Sequence, residues 1–244
     1  MLRILVVANG NCNPATIQRC CDQKPHAVIC VDGGLRHCVA ASVVPDVLVG
    51  DLDSADSADV AALDPQRTHC IRYSADKDAT DLELALQYVN DTYVNTSSVK
   101  ASGAVNVTAP TQGQPPASGA GTRHPEVCLV GISGGRTDHM LANWLVLSSD
   151  RWLFDIVVED RFGTGYLIKA GHQREVMLGE GATFSLLALT PSTGIHCSGA
   201  KYPLIDASLY PDSALGISNV STANYVRVSV KSGAVLLYAN NGNV

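Results

Sequence analysis

The sequence predicts an α/β + all-β protein: an N-terminal, mostly parallel α/β sheet domain followed by a C-terminal β-sandwich domain. Three observations carry this expectation. Short apolar, β-branched runs alternate with helical stretches as far as about residue 160. Several of those runs stop abruptly at an acid or a glycine pair, as strands do where they hand the chain to a sheet edge. Beyond about Arg161 the texture changes to short β-prone pieces punctuated by Gly, Pro and Ser, without a long helical pattern. The expected domains are therefore 1–160 and 161–244.

In chain order, Arg3 to Ala8 is a strand ended by Asn9-Gly10, and Pro14 to Cys21 has the proline start of a short helix. Ala27 to Val31 is the next strand. It ends at Asp32-Gly33-Gly34, ahead of a helical stretch from Leu35 to Ala41. Strand, glycine turn and helix start can present backbone N–H groups to an anion such as phosphate. A lone DGG is also an ordinary tight turn, and the chain has neither GxGxxG nor GxxxxGK[ST].

Pro45 to Ser54, PDVLVGDLDS, is the most informative stretch. Val47 to Val49 form an apolar run, Gly50 permits a close approach to the backbone, and Asp51 and Asp53 follow. In an extended chain both acids face one side with Cα atoms roughly 7 Å apart, close enough to converge on one cation. The competing reading makes Asp51 a turn residue and Asp53 or Ser54 a helix cap. Ala55 to Leu63 then reads as a helix and His69 to Tyr73 as a strand. In Asp76-Lys77-Asp78-Ala79-Thr80-Asp81, Thr80 and Glu83 have capping-box spacing, which puts Asp81 in a first helical turn where the dipole favours an acid. Acids flanking a lysine after a strand also suit a metal-phosphate site, with Lys77 balancing phosphate charge.

From about Asp91 to Pro125 the composition is Ser, Thr, Gly, Ala, Pro and Asn, expected as a mobile insertion. Val127 to Gly131 resumes the strands. Gly134-Gly135-Arg136 follows, an arginine fork beside glycines that would admit a phosphate, before a helix through Ser148 that Asp138 is placed to cap. Trp152 to Val158 is the last strand of the alternating series. Asp32, Asp51, Asp81 and Arg136 all follow strands, so a parallel sheet would gather them at one edge. In the second domain Thr183 to Leu189, Tyr225 to Val230 and Ala234 to Tyr238 are strands, while Tyr202 and Ser218-Asn219 read as an ordinary aromatic and a turn.

A formal charge of −6 and a pI near 5.5 argue against a general nucleic-acid or membrane-surface binder, which needs a basic stripe. The first residues meet Asn9 and Gly10 too early for a signal-peptide core, and no apolar run is long enough for a bilayer span. Eight cysteines without CxxC pairing fit reduced, mostly buried thiols in a cytoplasmic protein. Seven histidines lack zinc-ligand spacing.

DGG, PDVLVGDLDS, DKDATDLELAL, SGGRTDHMLAN, then GI followed by KYPL and GISN, in that order, resemble the thiamin pyrophosphokinase family over most of the chain outside the insertion. The resemblance implies an α/β ATP-binding catalytic domain and a β-sandwich that binds thiamine. It also implies a homodimer with active sites at the subunit interface. The implied reaction is Mg2+-dependent transfer of a diphosphate from ATP to the hydroxyethyl group of thiamine, releasing AMP. Carried over, Asp51, Asp53 and Asp81 are the metal acids, and with Arg136 the catalytic set. Asp32, Gly33, Gly34 and Ser54 fall on the ATP side, with Lys77, Asp78 and Thr80 and with Gly135, Arg136 and Asp138. Tyr202, Ser218 and Asn219 match the thiamine side, Tyr202 standing where relatives often carry tryptophan. Two other readings stay open: a diphosphokinase for another heterocyclic alcohol such as a hydroxymethylpterin, and a catalytically silent nucleotide- or thiamine-binding protein. A third, an interaction module acting through the insertion, predicts no ATP dependence.

Overall fold

The computed structural model describes residues 1–95 and 124–241. Most of the expected insertion at about 91–125 therefore lies outside the described residues. The chain divides into two compact units, residues 1–143 with 151–155, and residues 144–150 with 156–244.

In the first unit the strands are β1 (Arg3–Val7), β2 (Ala27–Val31), β3 (Val47–Gly50), β4 (His69–Arg72) and β5 (Glu126–Val130). They lie side by side as β5-β1-β2-β3-β4, every neighbouring pair parallel. Their carboxyl ends therefore face one edge, as the sequence led us to expect. β2, β3 and β5 are buried at every residue, the pattern of strands covered on both faces. The covering helices are α1 (Pro14–Asp22), α2 (Leu35–Ala40), α3 (Ser57–Ala61), α4 (Asp81–Val89) and the first part of α5 (Thr137–Leu147). One apolar layer joins Ile17 and Cys20 of α1 and Leu35 and Cys38 of α2 to Leu5, Val7, Cys30, Leu48 and Cys128 of the sheet. α4 packs against β2 and β3 through Leu82, Ala85, Leu86 and Val89, all buried. It then runs on through a wider helical turn, Asn90–Val94.

Several element ends differ from expectation by a residue or two, and α5 starts at Thr137, so Asp138 lies in its first turn instead of capping it; two further differences have a clear local reason. α3 starts at Ser57 because Asp56, rather than Asp53 or Ser54, caps it, accepting from Ala58 N at 2.8 Å. β6 (Asp155–Glu159) starts three residues later than Trp152. Trp152 is wholly buried but serves packing, stacked on Phe154 with Arg151 over its ring, and the Leu153 N–H is taken by Asn90 Oδ1 at 3.1 Å. An apolar run alone does not distinguish such a buried coil from a strand.

The second unit is a β-sandwich. One sheet has the order β12-β9-β14-β7-β6, built from β6, β7 (Gly163–Lys169), β9 (Thr183–Ala188), β12 (Asn219–Val220) and β14 (Ala234–Asn240). The other has the order β11-β10-β13-β8, from β8 (Gln173–Met177), β10 (Ser192–Ser198), β11 (Leu204–Leu209) and β13 (Tyr225–Ser229). Pairing within both sheets is antiparallel. Ile168, Phe184, Leu186, Val235 and Leu237 from one sheet meet Val176, Ile195, Cys197, Val226 and Val228 from the other in a single apolar layer. No helix among the described residues is long and apolar enough to cross a membrane, and all eight cysteines are free thiols.

Candidate active site

The site is built from the strand ends of the first unit. Directly after β2, Asp32 opens a tight turn with Gly33 and Gly34, its backbone in the left-handed region at φ 44°. It is 5% exposed. Beside it, Gly50 ends β3, and a Cβ there would stand 2.9 Å from Asp32 Cβ, so only glycine lets the two strand ends close up. The chain does not stay extended after Gly50. Leu52 takes φ 66°, and the Asp53 N–H folds back to Asp51 Oδ1 at 3.2 Å. Asp51 is thus a turn residue and also a member of a cluster: Asp32, Asp51 and Asp53 each bring a carboxylate oxygen within 4.8 Å of the others. The turn expected at Asp51 is present, while the helix cap expected at Asp53 or Ser54 falls to Asp56. Ser54 donates its hydroxyl to Asp53 Oδ1 at 3.0 Å.

The loop after β4 brings the neutralising charge. Lys77 Nζ lies 2.5 Å from Asp81 Oδ1 and 3.2 Å from Asp51 Oδ2. Thr80 caps α4, accepting from Glu83 N at 3.3 Å, which fixes Asp81 in the first turn. Asp78 is exposed in the same loop. The acids that close on one another are thus Asp32, Asp51 and Asp53, while Asp81 is held by Lys77 at the margin.

Burial sets the charge state of this edge. It pushes the Asp32 carboxyl above its ordinary range, and the negative charges of Asp81 and Asp53 add to the push against hydrogen bonds from Gly33 N–H and the Ser54 hydroxyl. At Asp51 burial acts in the same direction but is outweighed by the Asp53 N–H and the Lys77 ammonium, so that carboxyl lies below its ordinary range. Lys77 is pulled down by burial and, more strongly in sum, up by Asp81 and Asp51, and stays charged.

β1 lies between β5 and β2, so the direction of strand succession reverses between β1 and β5, where open α/β sheets bind ligands. The loops on either side interlock. Gly10 N donates to Gly131 O at 2.6 Å and Asn11 N to Ser133 O at 2.7 Å. Gly134 and Gly135 have φ 84° and 70°, and nothing lies within 4 Å of where a Gly135 Cβ would be, so a ligand can reach the backbone. Arg136 and Asp138 are exposed and paired, Nη2 to Oδ2 at 2.6 Å, which lowers the Asp138 carboxyl to about 2. Asn9 at the end of β1 was not singled out by sequence. Its amide lies against Gly33, where a Cβ would meet Nδ2 at 2.4 Å. Asn9 Oδ1 and Asp32 Oδ1 are the buried side-chain oxygens without a hydrogen-bond partner among the described residues, two acceptors open to a donor. The only signal in the sequence was Asn-Gly, read there as a strand terminator.

In the second unit Tyr202 is 59% exposed, with Lys201 Nζ 5.4 Å from its ring centre. Asn219 is buried and its amide is committed to backbone. It accepts from Tyr202 N at 3.1 Å and Val220 N at 2.9 Å, and donates to Tyr202 O at 2.8 Å. Ser218 is exposed at φ 58°, its N–H donating to Ser185 Oγ at 3.1 Å.

Fold and site together define a class: an α/β protein with a carboxylate cluster and glycine-lined loops at its strand ends, carrying a β-sandwich in the same chain. The model of the thiamin pyrophosphokinase catalytic domain matches residues 21–152, and that of the thiamin pyrophosphokinase vitamin B1 binding domain matches residues 168–235. The chain belongs to the thiamin pyrophosphokinase family. No curated protein sequence matches it. Solved structures share the fold. The thiamine pyrophosphokinase of Bacillus subtilis has a TM-score of 0.71 at 21% identity, over 99% of this chain and 100% of that one. A thiamin pyrophosphokinase family protein of Enterococcus faecalis gives 0.69 at 22%, over 99% and 100%. The thiamin pyrophosphokinase of Candida albicans gives 0.70 at 16%, over 98% and 89%.

Proposed function

We propose that the protein is an ATP:thiamine diphosphotransferase, moving the diphosphate of ATP to the hydroxyethyl oxygen of thiamine and releasing AMP. The observation that carries this reading is the convergence of Asp32, Asp51 and Asp53 at the strand ends of a chain in this family. Oxygen-only donors, one of them a buried oxygen without a partner, fit a hard cation, so Asp51 and Asp53 with Asp32 would hold magnesium. Asp81 joins that acidic edge through Lys77. Magnesium, when bound, would supply neutralisation of phosphate charge; the thiamine hydroxyl oxygen attacks the β-phosphorus in line, losing its proton to solvent as the bond to AMP breaks. The chain's own part is positioning and electrostatics. Lys77 and Arg136 offer cations to the phosphates, Gly135 keeps the backbone accessible, and Gly33 and Gly34 leave room for the turn that places Asp32. Thr80 holds the start of α4, while Asp78 and Asp138 border the same loops. Tyr202, its backbone held by Asn219 with Ser218 next to Asn219 in the chain, offers an aromatic face to the cationic thiazolium.

By the same reading the protein is a homodimer with active sites at the subunit interface. Exposed Ile205, Leu215 and Ile217 in the second unit are consistent with a covered surface. A reducing compartment such as the cytoplasm suits its eight free thiols.

Purified protein is incubated with magnesium chloride, ATP and either thiamine or a hydroxymethylpterin, and the nucleotide product is identified. AMP with thiamine alone supports the proposal; AMP with the pterin alone, or none with either, removes it. Asp51→Asn keeps an acceptor for the Asp53 N–H but loses the charge, and is expected to lower turnover at least ~100-fold with unchanged circular dichroism. Retained activity in D51N would sink the assignment of Asp51.

A further inference from the structure

Lys77 stands between two groups of acids and shares one of them. Its ammonium bridges Asp81 and Asp51, and Asp51 is also the member of the Asp32, Asp51, Asp53 cluster nearest to it in this network. Both oxygens of Asp51 are already engaged, Oδ1 by the Asp53 N–H and Oδ2 by Lys77. The side chains of Lys77 and Asp51 are 15% and 16% exposed, so water screens their contact only in part. Lys77 therefore competes with any incoming cation for the carboxylate that links the two groups.

We propose that Lys77 is a built-in counter-cation, holding Asp51 and Asp81 together in the metal-free protein and released from Asp51 when a divalent cation enters the cluster. The inference rests on reading that cluster as a metal site. Two arguments lead to it. Positive charges meeting at one half-buried carboxylate repel, so a dication drawn to Asp51 weakens its contact with Nζ. The shorter contact to Asp81, four residues on, keeps Lys77 tethered at the margin while its flexible stem lets the ammonium turn. Released from Asp51, the ammonium is free to meet an anion that arrives with the cation. One side chain thus couples cation and phosphate binding, and that coupling is reciprocal.

The test is a titration with magnesium chloride alone, without nucleotide, on wild type, Lys77→Met and Lys77→Arg. Binding is followed by calorimetry and by the thermal midpoint. Without Lys77 the acids repel one another, so K77M should melt below wild type in chelator. It should bind magnesium about tenfold more tightly, and gain more from it, because no internal cation competes. K77R keeps the charge and should stay near wild type. If K77M unfolds without cooperativity, Lys77→Gln takes its place with the same expectations. Wild type and K77M binding magnesium equally, or K77M binding it more weakly, overturns the inference and leaves the metal site standing. No magnesium binding by any variant overturns both.

Discussion

Asp32 sits in an environment that a carboxylate disfavours. A carboxylate 5% exposed, with one oxygen unpartnered and like charges beside it, costs the fold something whenever it is ionised. Asp32→Asn removes the charge and keeps the shape. It is expected to raise the stability of the metal-free protein near neutral pH by about 1 kcal/mol, roughly 2–4 °C in midpoint for a chain of this size. The pH dependence has a definite sign. Because the folded-state carboxyl is raised above 3.8, its value in the unfolded chain, the penalty is absent below 3.8 and complete above the folded value. The gain in D32N should therefore shrink toward zero as the pH falls to about 4. Thermal melts in chelator across that range check it, and D32N should also lose magnesium-induced stabilisation. A D32N midpoint below wild type at neutral pH would show that Asp32 is satisfied after all.

At the scale of elements, caps and latches hold the site's parts. Thr80 caps α4 and so sets Asp81 relative to Lys77, an arrangement visible in the sequence as a capping box because its partners are three residues apart. Asn219 is the opposite case. It opens β12 and fastens the loop ahead of β11 through both Tyr202 backbone groups, a contact across 17 residues that no local pattern announces. Asn219→Ala removes three hydrogen bonds to part-buried backbone groups and is expected to cost about 2 kcal/mol. Ser218→Ala, at an exposed position, should cost under ~0.5 kcal/mol. Denaturant melts separate the two. Equal, small effects would mean that Asn219 acts on ligand rather than on the Tyr202 loop.

For the whole molecule, the prediction concerns assembly. The proposed homodimer should sediment at about 51 kDa, twice the 25.7 kDa chain, at micromolar concentration. A species at 25.7 kDa throughout an active preparation would remove the dimer from the proposal.

Much of the architecture was legible because it is written in local periodicity. Apolar runs such as Val47 to Val49 mark strands, their abrupt ends mark loops, and a parallel sheet sends those ends to one edge whatever the details. Trp152 marks the limit, since burial in coil and burial in a strand leave the same apolar trace. By itself the sequence determined which residue types stand at the strand ends and that Thr80 caps α4. Only the tertiary structure decided which of them meet. Asp32 closes on Asp51 and Asp53 because Gly50 lets β2 and β3 end in contact and Leu52 turns the chain back, while Lys77 engages Asp81. Those outcomes depend on strand register and on contacts between residues far apart in the chain, and neither has a period that a linear pattern can carry.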